Sequence, residues 1–503
     1  MTISVETQVA IIGSGMGGGM LARALAERGV EIVIIERGTR LPREEQNWDP
    51  TSVYLDNRYK NAEKWKDGFT GKEFKPGVHY YVGGNTKVYG ASLIRFREKD
   101  FDGFQTAEGE SPAWPFTYDQ IEPYYVKAEH ALCVRGSVGP DPTEPRRSAD
   151  YLFPALDHEP FVGAFAKSLE AQGLHPYKMS MGVDYGAGGA CIRCKTCDGF
   201  PCKLGAKSDS ENCGVDPALA TGKATLLDGV TITKLIHDES GSRVIRAIGV
   251  KNGEPVEIIA KTFVVAGGAA NSAALLLKSA SAKHPDGLAN SSGQVGRNWM
   301  VHNSTFMVGI NPAKKNTSIF QKTLSFNDWY FESESGYALG NVQMLGKIQS
   351  QMFKGVMPWV PNSILKTMAQ HSIDLYIESE DLPSPDNRIT VDAEGTINVS
   401  WKKNNMKVHN ELVKQTAKTL RKAGFPFVFK RPMDIATNSH QCGTAAAGHD
   451  PRTSVLDQYC RTHDVENLFV VDASFFPSSG AVNPALTIAA QAFRVAAEGD
   501  LLR

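Results

Sequence analysis

The sequence has neither a long apolar run nor an excess of charge of one sign. No stretch approaches the roughly 20 consecutive apolar residues that a membrane-spanning helix needs. Its 54 basic residues nearly balance its 55 acidic ones, so nothing attracts it electrostatically to nucleic acid or an anionic membrane. The opening residues, MTISVETQ, also lack the basic and apolar regions of a secretory signal. These absences predict a cytoplasmic protein that binds neither nucleic acid nor a membrane.

Length and composition indicate a globular protein with more than one domain. A chain of 503 residues is too long for a single hydrophobic core. Glycine is plentiful, with 47 residues, and it allows a backbone to turn sharply or to approach a ligand closely. Clusters of glycine therefore mark candidate ligand-binding turns.

A glycine-rich turn near the start of the chain lies between two predicted strands. The stretch VAIIGSGMGGGM (residues 9–20) carries the pattern G-x-G-x-x-G directly after a buried strand predicted over residues 8–12. The sequence further predicts a helix over residues 20–28 and a second strand over residues 31–35. This order is typical of the first βαβ unit of a dinucleotide-binding domain.

Four residues of this unit are candidate cofactor ligands. Gly13 permits the tight turn, Gly15 lets the backbone approach a pyrophosphate, and Gly18 lets the helix pack closely on the strand. The N-terminus of the helix then faces the anion. Glu36 follows the second strand, where it can accept hydrogen bonds from a ribose. The pattern alone does not distinguish NAD from FAD.

Two later segments are suited to complete the nucleotide-binding domain. Residues 261–277 predict a buried strand, a glycine pair and a helix, and residues 467–477 predict a buried strand that ends at Asp472. The predicted fold class is α/β: a Rossmann-like domain assembled from discontinuous segments, with a second α+β domain on a mostly antiparallel sheet. The predicted division is 1–105, 218–305 and 432–503 for the nucleotide-binding domain, 106–217 for a substrate and linker region with a cysteine-rich loop, and 306–431 for the substrate-binding domain.

Several segments, taken in order, resemble one enzyme family. They are the first glycine motif, VGGNTKVYGASLIRF (82–96), VGRNWMVHN (295–303), SHQCGT (439–444) and NLFVVDASFFPSSGAVNPALTIAAQAFRVA (467–496). The sequence resembles the glucose–methanol–choline (GMC) oxidoreductases, FAD enzymes that oxidise alcohols, including sugar hydroxyls. Within that family it is most similar to the bacterial pyranose oxidase and C-glycoside 3-oxidase branch. The middle of the chain, roughly 306–431, carries no matching motif.

The resemblance implies FAD and a set of residues that hold it. Beyond the first motif these are Gly83, Gly84, Asn85 and Thr86 beside the isoalloxazine ring, Ile232 near adenine, Asp472 and Ala473 near the ribityl and pyrophosphate groups, and Pro484 and Thr487 near the flavin pyrimidine. Some members link FAD covalently through a His just after the glycine pair, where this chain has Val88. Since valine offers no nucleophile, we expect FAD to be held non-covalently.

Two C-terminal residues match the catalytic pair of the family. They are His440 in SHQCGT and Asn483 in AVNPALT, on either side of the strand that ends at Asp472. A histidine is suited to accept a hydroxyl proton near neutral pH. We therefore expect His440 to act as the base and Asn483 to hold the same substrate oxygen, while hydride passes to flavin N5.

A cysteine cluster has no counterpart among these motifs. Cys191, Cys194, Cys197 and Cys202 follow the spacing C-x2-C-x2-C-x4-C. The last interval is one residue longer than in bacterial ferredoxins. Three interpretations stay open: an iron–sulfur cluster, structural zinc, and thiols or disulfides with a packing role.

The middle segment offers candidate substrate contacts. Aromatic and methionine residues gather there, including Trp329 and Tyr330, and they suit either a core or a loop that covers the substrate. Gln343, on a predicted strand, can hydrogen-bond a sugar hydroxyl. The sequence thus predicts an FAD-dependent oxidase that converts a secondary ring hydroxyl of a sugar or glycoside to a ketone and reduces O2 to H2O2. The alternative is a GMC-type dehydrogenase that passes electrons to a quinone, a cytochrome or a partner subunit.

Overall fold

A seven-stranded sheet forms the larger core of the protein in the computed structural model, which describes residues 3–502. Its strands are Ile3–Ile12, Ile32–Ile35, Ala224–Leu227, Val230–His237, Val244–Lys251, Glu254–Val265 and Leu468–Val470. The apolar runs VAII and IVII are buried, as is usual for parallel strands that helices cover on both faces. These runs explain why the N-terminal segment forms the centre of the sheet.

The strand Glu254–Val265 joins separate parts of the chain. Ile3–Ile12 pairs with it in parallel along nearly its whole length. On its other side, the first half pairs antiparallel with Val244–Lys251, and the last residues pair in parallel with Leu468–Val470. The sheet is therefore built from three distant stretches of sequence, which confirms the predicted discontinuous α/β fold class.

Glycines let the first helix lie directly against this sheet. The helix Met16–Ala26 begins before the predicted residue 20. A Cβ on Gly17 would lie 1.8 Å from the carbonyl oxygen of Val471, and one on Gly18 would lie 2.0 Å from that of Gly13. The predicted helix start was wrong because these glycines lie within the helix, where close packing outweighs their low helix propensity.

A second sheet of six antiparallel strands forms the smaller core. In spatial order its strands are Phe427–Pro432, Asn303–Ile310, Ser372–Ser379, Asn341–Met344, Leu324–Phe326 and Tyr177–Lys178. Along Ser372–Ser379 every second residue is apolar and packs in the core that the helix Met406–Lys422 covers. The alternate residues, among them Glu378, point to the opposite face. This sheet matches the predicted mostly antiparallel second domain.

Shorter elements complete the fold. The remaining α-helices are Glu98–Asp102, Tyr118–Ala131, Pro160–Glu170, Asp216–Ala220, Ala269–Lys278, Ser350–Val356, Asn362–Gln370 and Ala485–Glu498. The remaining strands are Trp65–Asp67, Glu73–Phe74, Phe104–Gln105, Glu110–Ser111, Val134–Gly136, Phe153–Pro154, Met181–Gly182, Arg388–Val391 and Ile397–Ser400. Short 3-10 or π turns are Glu45–Trp48, Thr51–Leu55, Gly84–Lys87, Glu211–Val215 and Ala473–Phe475. Among residues 3–502, no helix has both the length and the apolar character needed to cross a bilayer. The predicted domain boundaries stay a prediction.

Candidate active site

The first glycine turn forms a backbone cradle at the N-terminus of a helix. Gly13 has a φ of 111°, and a Cβ there would lie 2.2 Å from the carbonyl oxygen of Ala266. At Gly15 a Cβ would meet no atom within 4 Å. Open space therefore lies beside the first turn of Met16–Ala26, whose N–H groups have no partners within the helix. Such a place suits a pyrophosphate.

Glu36 closes the cradle at the end of the second strand. Its Oε2 accepts hydrogen bonds from the Ser14 backbone N–H at 3.0 Å and from Ser14 Oγ at 2.6 Å. Its Oε1 accepts one from the Gly38 N–H at 2.9 Å. Burial raises the pKa of Glu36, and these hydrogen bonds oppose that effect. Because each carboxylate oxygen has further lone pairs, the side chain can still accept from a ribose hydroxyl.

The turn predicted to lie beside the flavin ring sits directly on this cradle. The Gly83 N–H donates to Ser14 Oγ at 3.0 Å, and the Cβ position of Gly84 is 3.3 Å from the Gly15 Cα. Both turn glycines have positive φ, 97° and 57°, which glycine adopts without strain. The turn therefore presents backbone, without side chains, toward the space in front of the cradle.

The next two residues fix this turn from within. The Asn85 Oδ1 accepts from the His79 N–H at 2.8 Å. The Thr86 hydroxyl donates to the Gly83 carbonyl at 2.6 Å and accepts from the Ser210 N–H at 2.9 Å. Both side chains thus hold the loop, which leaves their backbone for any contact with a cofactor.

The other candidate cofactor residues lie at strand and helix ends around the cradle. Buried Asp472 follows the strand Leu468–Val470 and accepts from the Gly268 and Ser474 N–H groups at 2.9 and 2.8 Å. Ala473 comes next, in a short turn. Ile232 lies near the ribose side, since the N–H of Val230 donates to the Glu36 carbonyl at 3.0 Å.

The last helix begins just after Asn483, one of the predicted catalytic pair. Pro484 is the N-cap of Ala485–Glu498. The hydroxyl of Thr487, in the first turn of that helix, shares a hydrogen bond of 2.7 Å with the Tyr125 hydroxyl. Unpaired N–H groups at this helix start can face the pyrimidine side of a flavin.

The predicted catalytic pair, His440 and Asn483, is held by one buried carboxylate. His440 Nδ1 lies 3.0 Å from Glu378 Oε1. The amide Nε2 of buried Gln343 donates to Glu378 Oε2 at 2.7 Å and to Asn483 Oδ1 at 2.9 Å. Glu378 is thus linked directly to His440 and, through Gln343, to Asn483.

His302 contacts the same carboxylate oxygen of Glu378 as His440 does. Its Nδ1 lies 2.9 Å from Glu378 Oε1, and its Nε2 lies 3.0 Å from the Ser479 carbonyl, so Nε2 must carry a proton. Burial would raise the pKa of Glu378, but the charges and hydrogen bonds of His302 and His440 lower it to about 2. Burial acts to lower the pKa of His302, and Glu378 more than offsets it, so that pKa is raised. The ion pair favours an ionised Glu378.

This arrangement leaves two polar groups without a protein partner among residues 3–502. With Nδ1 of His440 donating to Glu378, its Nε2 keeps a free lone pair and makes no hydrogen bond to any residue in the described chain. With Oδ1 of Asn483 occupied by Gln343, the Nδ2 donors of Asn483 are likewise free of partners within residues 3–502. An acceptor of a proton and a donor of a hydrogen bond are what one alcohol oxygen requires.

Sequence reasoning missed the part played by Glu378 and His302. The signal for Glu378 is weak: an acidic residue in the apolar run SIDLYIES, at a spacing of four from Asp374 on the same strand face. His302 lies in the matched segment VGRNWMVHN, and no local pattern marks its contact with Glu378. Among residues 3–502, the trio of His302, Glu378 and His440 is the one whose possible ligand atoms all lie within 4.8 Å, a spacing that their mutual hydrogen bonds explain.

The three predicted substrate contacts are placed differently. Gln343 is fully buried and all its donors have protein partners, so it positions other side chains. Tyr330 is also buried, donating to Asp100 Oδ2 at 3.0 Å and accepting from the Ala481 N–H at 3.2 Å. Trp329 packs edge-on against Phe326. These contacts favour structural roles over contact with the substrate.

The four clustered cysteines lie apart from the catalytic pair and line one pocket. All eight cysteines of the described chain are free thiols, so a disulfide role for the cluster is not supported.

The donor set of the cradle fits FAD. The space at Gly15 is open, and the turn at Gly83 and Gly84, which presents backbone without side chains, lies directly against it. Their backbone N–H groups suit the pyrophosphate and the flavin carbonyls.

Comparison with known proteins agrees with this geometry. Two family models described as GMC oxidoreductase match residues 77–304 and 383–492, and one described as FAD binding domain matches residues 6–46. The 6'''-hydroxyparomomycin C oxidase of Streptomyces lividus is 30% identical, over 97% of this chain and 90% of the relative. The paromamine 6'-oxidase of Streptomyces fradiae is also 30% identical, over 98% and 92%. The fructose dehydrogenase large subunit of Gluconobacter japonicus is 26% identical, over 98% and 97%.

Solved structures share the fold. Pyridoxine 4-oxidase from Mesorbium loti superposes with a TM-score of 0.66 at 17% identity, covering 98% of this chain and 99% of that one. A formate oxidase variant from Aspergillus oryzae gives a TM-score of 0.70 at 15% identity, with full coverage of both chains. The chain belongs to the GMC oxidoreductase family and is an FAD-dependent oxidoreductase that acts on CH–OH groups.

Proposed function

We propose that the protein oxidises a secondary ring hydroxyl of a sugar or glycoside to a ketone, as members of the pyranose oxidase and C-glycoside 3-oxidase branch do. The observation that carries the proposal is the shared support of His440 and Asn483 by the buried carboxylate of Glu378. It leaves one base and one hydrogen-bond donor free for a single alcohol oxygen. Relatives named as oxidases of paromamine and hydroxyparomomycin, and a fructose dehydrogenase, support a polyhydroxylated substrate.

The chain's own side chains prepare the alcohol for oxidation. The Nε2 of His440 takes the hydroxyl proton, and the positive charge that develops on the ring is stabilised through Nδ1 by the carboxylate of Glu378. The Nδ2 of Asn483 donates to the same oxygen and fixes its direction. FAD, when bound, accepts the hydride that leaves the carbinol carbon. The residues that would hold FAD are the cradle at Gly13–Gly18 with Glu36, the turn at residues 83–86 and the segment from Asp472 to Thr487.

The same proposal includes non-covalent FAD in a cytoplasmic protein. Val88 stands where the linking His of some family members would be, and it follows the turn directly. Acid precipitation should therefore release yellow flavin into the supernatant. Flavin that stays with the pelleted protein would contradict the non-covalent attachment.

Two acceptors for the electrons are supported by separate observations. The names of two relatives as oxidases support O2, with H2O2 as the product. The relatives named fructose dehydrogenase and gluconate 2-dehydrogenase support a different acceptor, such as a quinone, a cytochrome or a partner subunit. The cysteine loop, which contacts the backbone just after the turn at residues 83–86, favours this second candidate.

The decisive experiment is flavin bleaching without oxygen. The holoenzyme is mixed anaerobically with free sugars, C- and O-glycosides, paromamine and choline, and the flavin absorbance is followed. We expect at least one sugar or glycoside to bleach the flavin and to yield a ketone identified by NMR. Admission of air then separates the acceptors, since rapid recovery of colour with H2O2 indicates an oxidase. Bleaching by choline alone would contradict the proposed substrate class.

A further inference from the structure

Four cysteines surround one pocket near the surface. Cys191, Cys194, Cys197 and Cys202 all line one small pocket, and all are partly exposed free thiols. Apart from these thiols the lining is largely apolar, and it includes Trp48, Val183, Ile192, Leu204, Ala206 and Phe320. No residue of the catalytic network lines this pocket within the described chain. The reaction on the alcohol therefore gives these thiols no task.

The loop that carries the cysteines is fixed to the backbone next to the flavin turn. The buried ammonium of Lys207 donates to the carbonyl oxygens of Tyr89, Cys197 and Phe200 at 2.7, 2.8 and 2.8 Å. The Gly199 N–H donates to the Val88 carbonyl at 3.0 Å. Val88 and Tyr89 begin one residue beyond the turn at residues 83–86, so these hydrogen bonds connect the loop to the segment that continues from the turn.

A buried ion pair holds the same loop from its other side. Lys322 Nζ lies 2.8 Å from Asp198 Oδ2, next to Cys197 in sequence. A Cβ at Gly90 would lie 2.1 Å from Lys322 Nζ and 2.4 Å from Asp198 Oδ1. The ion pair of Lys322 and Asp198 therefore lies directly against the backbone of Gly90. Two buried lysines, Lys207 and Lys322, thus anchor this loop. Thiols that bind no ligand would not require such anchoring.

The four thiols share one pocket but are not close enough to bind a single ion. A tetrahedral zinc ion needs sulfurs about 3.8 Å apart, given Zn–S bonds of about 2.3 Å. In the described chain no three of these sulfurs meet within 4.8 Å. The wider spacing suits a cluster of several metal ions.

We infer that Cys191, Cys194, Cys197 and Cys202 bind an iron–sulfur cluster, set between the flavin-side segment at Val88 and the protein surface at Ile192. The C-x2-C-x2-C part of the spacing is that of cluster-binding segments. The x4 interval, one residue longer, contains Asp198 and Gly199, the two residues that anchor the loop to Lys322 and Val88. Ile192 is 63% exposed beside the pocket, so a partner molecule can approach this side.

The cluster would serve as an exit for electrons. Oxidation of one CH–OH group releases two electrons and two protons, and an iron–sulfur cluster carries one electron at a time. Two successive one-electron transfers to a one-electron acceptor, such as ferricyanide or a small cytochrome, therefore balance one turnover. This role rests on the proposed function, whereas the presence of the cluster does not.

Metal and sulfide analysis of the holoenzyme tests the inference. The protein is purified without oxygen and incubated with ferrous iron and sulfide. Iron, zinc, acid-labile sulfide and FAD are then measured per chain, and electron paramagnetic resonance spectra are recorded with and without dithionite. We expect about three to four iron atoms with a similar amount of sulfide and a cluster spectrum. Cys194→Ser and Cys202→Ser should lose most of the iron and keep their FAD, whereas Cys213→Ser, a nearby cysteine outside the pocket, should keep both.

Each other result would overturn the inference. Wild-type protein with full FAD and no bound iron after reconstitution excludes the cluster, and so does one zinc per chain without sulfide. Iron retained in both cysteine variants would place it elsewhere. Because the wild-type assay needs no substrate, it stands even if no sugar bleaches the flavin, and the two proposals can fail separately.

Discussion

The candidate cofactor cradle and the candidate catalytic centre are built in different ways. The cradle comes from one continuous stretch, residues 13–36, and works mainly through backbone N–H groups and absent side chains. The centre comes from side chains at 302, 343, 378, 440 and 483, joined by one buried carboxylate. Loss of one contact should weaken binding at such a backbone site only moderately, because many N–H groups contribute to it. A network around one charge does not tolerate such a loss, since each member sets the direction of the next.

The strongest test of this contrast is His440→Ala. Removal of the base should leave FAD bound and slow anaerobic flavin reduction by ~10²-fold or more, the usual scale for a positioned base. Stopped-flow absorbance with a bleaching substrate measures the rate, after FAD content has been checked. His449→Ala, which removes an exposed histidine from the same segment, is the matched control. An unchanged reduction rate in His440→Ala would remove the centre from the mechanism.

Gln343→Met separates a positioning role from the predicted substrate contact. The substitution keeps length but leaves Glu378 and Asn483 unlinked, and loss of one such hydrogen bond, about 1–1.5 kcal/mol, corresponds to a rate lower by about tenfold. We expect the limiting rate of flavin reduction to fall while KM stays nearly constant. A rise in KM at constant limiting rate would support direct contact with the sugar.

The double variant Gln343→Met with Asn483→Ala provides the control for this prediction. If Gln343 acts through Asn483, the double variant should be no slower than Asn483→Ala alone, because both changes remove the same interaction. Strictly additive losses would show that Gln343 acts on the reaction by another route.

Glu36→Ala tests whether a change in the cradle affects FAD binding without affecting the rate of flavin reduction. It removes a ribose contact, so apparent FAD affinity should fall several-fold to about tenfold, while the reduction rate of the remaining holoenzyme stays near that of the wild type. FAD titration of the apoprotein measures the first quantity and stopped-flow reduction the second. Glu31→Ala serves as the control, because Glu31 is an exposed acid directly before the strand Ile32–Ile35. Full FAD retention would contradict the ribose role.

The smallest expected effect is on stability, and it concerns Glu378 and Glu380 at the end of the strand Ser372–Ser379. Glu378 has a pKa lowered to about 2, whereas burial and nearby Asp100 raise that of Glu380 to about 8 from an ordinary 4.5. Between pH 4.5 and 8 the unfolded chain has released the Glu380 proton and the folded chain keeps it. Rising pH therefore lowers the free energy of unfolding in this range.

Glu380→Gln should remove that dependence. Thermal unfolding at pH 5 and at pH 8 should show the wild type losing more of its Tm than the variant, by a few degrees. Glu239→Gln, on the surface, should follow the wild type. Equal loss in all three proteins would mean that Glu380 is already ionised in the folded state.

The cradle could be predicted from the sequence and the network around Glu378 could not, because the first is local and the second joins distant residues. The cradle, its strands and Glu36 are local, so spacing alone locates them. His440 and Asn483 were found through resemblance to a family. Glu378 was not, because its role depends on partners 76 and 62 positions away in the chain, which no local pattern encodes. Tyr330 and Trp329 illustrate a different limit of the sequence. An aromatic cluster has the same sequence pattern whether it faces a substrate or, as here, contacts Asp100 and Phe326.

The two-sided pairing of Glu254–Val265 also constrains how the protein is made. Ile3–Ile12 emerges from the ribosome about 250 residues before its partner strand, and Leu468–Val470 follows more than 200 residues later. Contacts between residues so far apart in sequence form slowly. Closing the long loop between them costs conformational entropy before any strand pairing can offset that cost. Until residues 468–470 are synthesised, the parallel edge at Phe263 is an open template for wrong pairing. We therefore expect a chain truncated before residue 468 to aggregate more readily than the full-length chain.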